Sequence, residues 1–313
     1  MGMDPQVRLI AEALAEADLP PLETLDVERA RAQVAMMSQG TPPGPPVETV
    51  RDLSLDIGEA PIAGRLYRPA SPPVGLIVYF HGGGWVLGDL DSADALAREL
   101  TVRSGCALLS VNYRHAPEHR FPAAVLDAEA AIVWAAANMA ELVGGSLPLV
   151  VAGDSAGGNL AIAAARAAAA SGIDLAFQLL LYPVTDAACA TESYREFSTG
   201  PFLTSRIMAW FWDHYAPDAA QRSDDRASPL RATDLASLPP TLILIADLDP
   251  LRDEGEAFGK ALAEAGVDVE VQRVAGQVHG FAAMASMVGA ADGALDHAGR
   301  SIRQHCERAG AVG

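Results

Sequence analysis

Lysine is nearly missing from this chain of 313 residues: it occurs once, at Lys260, and arginine supplies the rest of the 22 basic residues. Asp and Glu number 40, which leaves a formal net charge of −18. So large a negative excess excludes nucleic acid and anionic membranes as partners, because both would repel it. The scarcity of lysine fits GC-rich coding, and a surface adapted to high salt would show it too. Cysteine is equally sparse. Cys106, Cys189 and Cys306 are odd in number, far apart in sequence and in no metal-binding spacing. That excludes a disulfide framework and points to a reduced, cytoplasmic protein. No apolar run reaches the ~18 residues of a membrane-spanning helix. The first residues, Met1-Gly2-Met3-Asp4-Pro5, lack the basic and apolar regions of a signal peptide, and Met3 is compatible with a natural start. H-E-x-x-H, the phosphate-binding P-loop, G-x-G-x-x-G after a strand and the EF-hand loop are all missing, so no cofactor and no metal are expected. Asp89, Asp91 and Asp94 lack the glycine and glutamate of a calcium loop and read as first-turn helix residues. His119, His214, His297 and His305 have no partner motif, and the chain has no internal repeats.

Half of the residues are hydrophobic, enough for one large core with or without a small appended domain. Within that apolar background, glycine clusters fall where strands should end. Leu147 to Ala152 reads as a buried strand, and the alanine-rich stretch Asn159 to Ala170 as a helix. Between them stands Gly153-Asp154-Ser155-Ala156-Gly157, a G-x-S-x-G pattern. A serine on a sharp strand-to-helix turn has its Oγ lifted clear of the backbone, beside the N–H groups of the helix start. Upstream, Gly75 to Phe80 reads as another strand, followed by His81-Gly82-Gly83-Gly84-Trp85. Successive glycines leave backbone N–H groups unshielded, so they can point at a developing oxyanion. Either pattern alone is common in loops. Together, in this order and each behind its own strand, they point to acyl transfer.

A serine hydroxyl is a poor nucleophile until an imidazole takes its proton and a carboxylate steadies that imidazole. Both groups are expected downstream. Thr241 to Ala246 and Val267 to Val274 read as two further strands. Asp247 and Asp249 leave the end of the first, and Gln277-Val278-His279-Gly280-Phe281 follows the second. Strand ends are where α/β sheets gather catalytic groups. By position, either aspartate could serve.

The full set of motifs resembles the bacterial hormone-sensitive-lipase-like esterases of the α/β-hydrolase fold. The matching stretches are Y-F-H-G-G-G-W at 79–85, Y-R-x-A-P-E-H-x-F-P-A-A at 113–124, G-D-S-A-G-G-N at 153–159, D-P-L-R-D-E-G at 249–255 and H-G-F at 279–281. The resemblance implies an α/β fold, a mainly parallel sheet flanked by helices and carrying a helical cap. It makes Ser155 the nucleophile, Asp249 the acid and His279 the base. Gly83, Gly84 and Ala156 would supply the oxyanion-hole N–H groups, and His81 would position the glycine loop. The first 45 residues are similar to the family's N-terminal cap helices, and a homodimer through Val267 to Val274 is implied as well. Asp247 stands where the family more often has Glu, His115 where it has Leu, and Leu126 where Glu is frequent. Asp154 marks a subfamily and reads as a structural hydrogen-bonding residue.

Along the chain, Gln6 to Ala17 and Asp26 to Met37 read as amphipathic helices separated by Pro20-Pro21. The Pro/Gly stretch Gly40 to Pro46 is expected to join residues 1–45 to a catalytic domain at 46–313. Asp52 to Ile57 and Ala63 to Tyr67 suggest an antiparallel pair at the sheet's edge. Phe121 to Leu142 reads as one long helix. Residues 185–230 show no strand–helix alternation and read as a second cap segment. Trp85, Phe202, Met208, Phe211 and Trp212 are candidates to line a substrate pocket, although ordinary packing would use the same residue types. The function expected is hydrolysis of short- to medium-chain esters, small molecules, through an acyl-enzyme, with activity falling as acid protonates His279. An amidase or peptidase on the same scaffold, and a binding protein that does no chemistry, are the alternatives.

Overall fold

Alternating apolar runs and glycine-rich turns produce one eight-stranded sheet in the computed structural model, which describes residues 2–40, 42–58 and 60–311. Met1 and Thr41, which carry parts of the start-site and linker expectations, lie outside the described residues. The chain opens with helices α1 (Pro5–Glu16) and α2 (Val27–Gln39), then strands β1 (Thr49–Leu55), β2 (Ile62–Arg68) and β3 (Leu76–Phe80). Helix α3 (Asp94–Ser104), strand β4 (Ala107–Val111), helices α4 (Ala123–Ala137) and α5 (Met139–Val143) and strand β5 (Leu149–Asp154) follow. Next come α6 (Ala156–Ala170), β6 (Leu175–Leu181) and three helices, α7 (Glu192–Glu196), α8 (Ser205–Tyr215) and α9 (Ala219–Arg222). The chain closes with β7 (Thr241–Leu248), α10 (Arg252–Glu264), β8 (Val269–Val278) and α11 (Gly289–Gly310). Strand order is β1-β2-β4-β3-β5-β6-β7-β8. The β1–β2 and β2–β4 pairs are antiparallel, and every other pair is parallel.

Side chains on successive strand residues point to opposite faces, and this period of two splits the core. Leu76, Val78 and Phe80 of β3 join Val151 and Ile245 on the face covered by α4, α6 and α10. Ile77 and Tyr79 join Val150, Ala152 and Leu244 on the face covered by α3 and α11. Strands buried on both faces are apolar throughout, which is why they read as continuous runs. The two N-terminal helices divide between the faces. Ala30 of α2 belongs to the first cluster and Val7 of α1 to the second. Gln6 pins α1 to the start of α11, its Nε2 donating to Met287 O at 2.9 Å and its Oε1 accepting from Gly289 N at 3.0 Å.

The long helix expected over 121–142 is two helices. α4 stops at Ala137, and the Asn138 side chain donates to Trp134 O at 2.8 Å, so it competes for the carbonyl turn that would carry the helix on. β8 extends past Val274 to Val278 because β7 offers backbone partners that far, with Leu248 opposite Val278. Cys106 and Cys306, distant in sequence, meet in the core with their Sγ atoms 3.8 Å apart. Among the described residues no helix is long and apolar enough to cross a membrane.

Candidate active site

The turn between β5 and α6 is dictated by space. A Cβ on Gly153 would lie 2.1 Å from Gly157 O, and one on Gly157 would lie 2.0 Å from Phe80 O. Neither position tolerates a side chain, so strand and helix can meet only with glycine at both. Ser155, caught between them, holds φ 56 and ψ −121, a conformation that L-residues rarely adopt. Its N–H donates to Leu181 O at 2.9 Å and its carbonyl accepts from Val184 N at 3.2 Å. The backbone of the turn is therefore held on both sides, leaving Oγ as the group presented outward.

His279 stands in the turn after β8. Its Nε2 is 2.8 Å from Ser155 Oγ, and its Nδ1 is 2.7 Å from Asp249 Oδ2. A carboxylate only accepts, so Nδ1 carries the proton and Nε2 is free to accept from the serine hydroxyl. Asp249 is wholly buried, and its second oxygen accepts from Leu251 N at 2.9 Å. The two aspartates that sequence position left open are thereby separated. Asp247 still lies within β7, where it accepts from Arg273 Nε at 2.5 Å and Gly276 N at 3.2 Å, on β8. Asp249 lies one residue past the strand, after a register irregularity between Ala246 and Leu248.

The glycine loop is braced from below. Asp154 Oδ1 accepts from Tyr79 Oη at 2.5 Å and from Gly82 N at 2.8 Å. Burial pushes the Asp154 carboxyl above its ordinary pKa, against the opposing pull of those donors. Tyr113 stacks on the His81 ring at 4.6 Å and donates to His81 O at 2.8 Å. His81 Nδ1 donates to Gly82 O at 2.7 Å, and burial lowers the pKa of the ring, so the neutral imidazole is favoured. His81 thus shapes the loop, and among the described residues no hydrogen bond joins it to Ser155. Gly83 and Gly84 have φ of 117 and 60. Among the described residues, no backbone acceptor takes the N–H of Gly83, Gly84 or Ala156.

The candidate pocket residues do not form one wall. Trp85 stacks on Tyr215 at 4.2 Å and lies 4.6 Å from Trp212, and both tryptophans are wholly buried. They back the glycine loop and face no open space. Met208 is also buried, and the ring of Phe211 lies where a Cβ on Gly84 would fall. Phe202 is packed against the cluster on the opposite face of the sheet. A cavity of about 560 Å³ lies away from Ser155, between α2 and the stretch from Gly88 to His119, lined by Arg31, Val34, Asp89 and His115.

Sequence reasoning missed what ties these parts together. Arg31 of α2 donates to Val86 O and Ala116 O, both at 2.9 Å, and pairs with Glu118 at 2.7 Å. Nothing in a lone arginine on an amphipathic helix signals this. Glu254 of the D-P-L-R-D-E-G stretch is buried and accepts from Thr185 N at 2.7 Å, and burial pushes its carboxyl well above the usual range. A carboxylate in a helix's first turn reads as ordinary capping and hides such a role. Among the described residues, no group of three or more His, Cys, Asp or Glu could hold a metal.

Known proteins share this arrangement of elements. The profile of the alpha/beta hydrolase fold matches residues 77–283. An ethyl acetate hydrolase of Pseudomonas putida is 35% identical over 97% of this chain and 100% of its own. A carboxylic ester hydrolase of Mycobacterium tuberculosis, LipN, is 40% identical over 90% of this chain and 77% of its own. The crystal structure of a thermostable esterase from Pseudomonas putida superposes with a TM-score of 0.92 at 38% identity, covering 97% of this chain and 98% of the other.

Proposed function

Given that this chain belongs to the α/β-hydrolase fold family, in its hormone-sensitive-lipase-like branch of carboxylic ester hydrolases, we propose that it is a serine esterase whose triad is Ser155, Asp249 and His279. The observation that carries the reading is the unbroken hydrogen-bonded line from Ser155 Oγ through the imidazole to Asp249. His279 takes the serine proton as Oγ attacks the ester carbonyl. The N–H groups of Gly83, Gly84 and Ala156 hold the resulting oxyanion. His279 then protonates the leaving alcohol, and a water activated by the same ring releases the acid. Asp249 keeps the proton on Nδ1 and stabilises the imidazolium.

Short- to medium-chain acyl esters fit best. Helices α1 and α2 and the 185–230 insert together make up the cap, and Phe211 crowds the glycine loop from that side. Three free cysteines suit a reducing, cytoplasmic setting. β8 is an edge strand on which a second copy could pair.

Hydrolysis of p-nitrophenyl esters from acetate to palmitate, with wild type and Ser155→Ala side by side, tests the reading. Activity should be strongest on short chains, fade with length, and fall roughly 10⁴-fold or more in the variant. Palmitate turned over as fast as acetate would remove the chain-length claim. A fully active Ser155→Ala would remove the nucleophile.

A further inference from the structure

The segment from Leu181 to Thr185 touches Ser155, His279 and the helix that follows Asp249. Leu181 O and Val184 N take the two backbone groups of Ser155. Thr185 N and Oγ1 both donate to Glu254, on the helix that leaves Asp249. Asn159, in the first turn of α6, donates to Val184 O at 3.1 Å and to Ala227 O at 3.0 Å, which locks the segment to the elbow from the other side. Pro183 packs against Gly158, where a Cβ would fall 2.9 Å from the proline ring.

Tyr182 stands in the middle with φ 37, in the left-handed region that a tyrosine seldom enters. Its N–H is fixed to Leu244 O at 2.6 Å. This backbone carries the buried ring to the imidazole of His279, 4.7 Å between centroids at an interplanar angle of 59°. Phe281, two residues after His279, backs the tyrosine edge-on at 5.2 Å. Strain of this kind persists only where the surroundings over-determine it, and here they converge on the base.

We propose that Tyr182 is a positioning residue, whose ring fixes the plane of the His279 imidazole relative to a nucleophile held by the same segment. The proposal rests on the triad reading and adds to it. Asp249 and Ser155 each hold the imidazole by one nitrogen, so the ring can still tilt about the line between them. A buried aromatic ring packed against it at a tilt of 59° removes that freedom and shields the Asp249–His279 hydrogen bond from water. Displacements of about 1 Å at such a site cost on the order of a hundredfold in rate.

The test is steady-state kinetics on p-nitrophenyl acetate for Tyr182→Leu, Tyr182→Met and Tyr182→Phe, with Ser155→Ala alongside. Melting curves and the far-downfield proton resonance of His279 Nδ1–H are recorded for each. Leu and Met should lower kcat roughly 10- to 100-fold with KM within about threefold, and should broaden the downfield resonance by solvent exchange. Phe should rescue both kcat and the resonance. Full kcat in a folded Leu or Met variant overturns the proposal, and so does a loss in Phe equal to that in Leu. Met is unbranched and adapts to irregular gaps, so it gives the reading if Leu does not fold. Activity persisting in Ser155→Ala would sink the triad reading itself, a result distinct from any outcome at Tyr182.

Discussion

The carboxyl ends of the strands and the segments proposed as a cap, residues 1–45 and 185–230, are held in place by different physics. At the strand ends, space decides. Gly153 and Gly157 sit so close to backbone that a single methyl would collide at about the length of a long covalent bond. Ser155 and Tyr182 hold positive φ, Ser155 with both its N–H and its carbonyl hydrogen-bonded and Tyr182 with its N–H fixed to Leu244 O. In the cap, single side chains reach across long distances. Arg31 ties α2 to the glycine loop, and Ser193 ties α7 to the stretch after Asp249 through Pro250 O and Asp253. The first kind of constraint is all-or-none. The second is graded, and each tie can be cut alone.

That contrast orders the expected effects. Gly157→Ala should be the most damaging small change in the molecule. Its Cβ would meet Phe80 O and His81 O, so β3 and α6 must separate, at a cost of roughly 3 kcal/mol or more. Loss of soluble, active protein is the expected outcome. A Gly157→Ala enzyme with the wild-type melting temperature would mean that the elbow is as forgiving as the cap.

Asp249→Asn and Asp247→Asn make a sharper pair, since two carboxylates two residues apart serve different partners. The first should lower kcat by roughly 10³- to 10⁴-fold with the fold intact, because the amide no longer favours the right tautomer of His279. The second leaves Arg273 and Gly276 N without their carboxylate, and should lower stability by about 1–3 kcal/mol while sparing kcat at 25 °C. Equal kinetic losses from the two would show that the acid's role is shared between them.

The same contrast explains what could be read from the sequence. A turn that only glycine can make leaves glycines in fixed places, so the elbow, the glycine loop and their flanking strands stood out. Asp249 and His279 were legible because each follows an apolar run that ends abruptly. The strand Ala107–Val111 carried no such flag. Only Gly105 and Cys106 part it from α3, and five residues, Ser110 among them, are too few to show a period. The cap's helices α1 and α2 showed their amphipathic period, yet nothing local says that they pack on opposite faces of the sheet. Trp85 and Trp212 are wholly buried, and residue type alone does not tell packing from pocket lining. Long-range ties such as Arg31 to Val86 leave no spacing rule behind.

His115 gives the smallest effect and the finest test of how graded the cap's contribution is. It lines the cavity beneath α2, edge-on to His81 at 5.5 Å and to Tyr113 at 5.0 Å. Burial, with help from Arg31 and from His81 whenever that ring is protonated, lowers its pKa from 6.5 to about 3, while Asp89 and Glu118 pull the other way. In the folded protein the ring therefore stays neutral at pH values where the unfolded chain protonates it. The stability it contributes is complete above 6.5 and is lost as pH falls toward 3. At about pH 5 the loss is on the order of 2 kcal/mol, a few degrees in melting temperature. His115→Leu removes that titration, while His81, displaced in the same direction, remains in both proteins. The melting temperature of the variant should accordingly fall less than that of the wild type between about pH 8 and pH 5. Identical slopes would show that the space beneath α2 is wet enough for the imidazole to charge freely, and that this part of the cap rests on water rather than on packing.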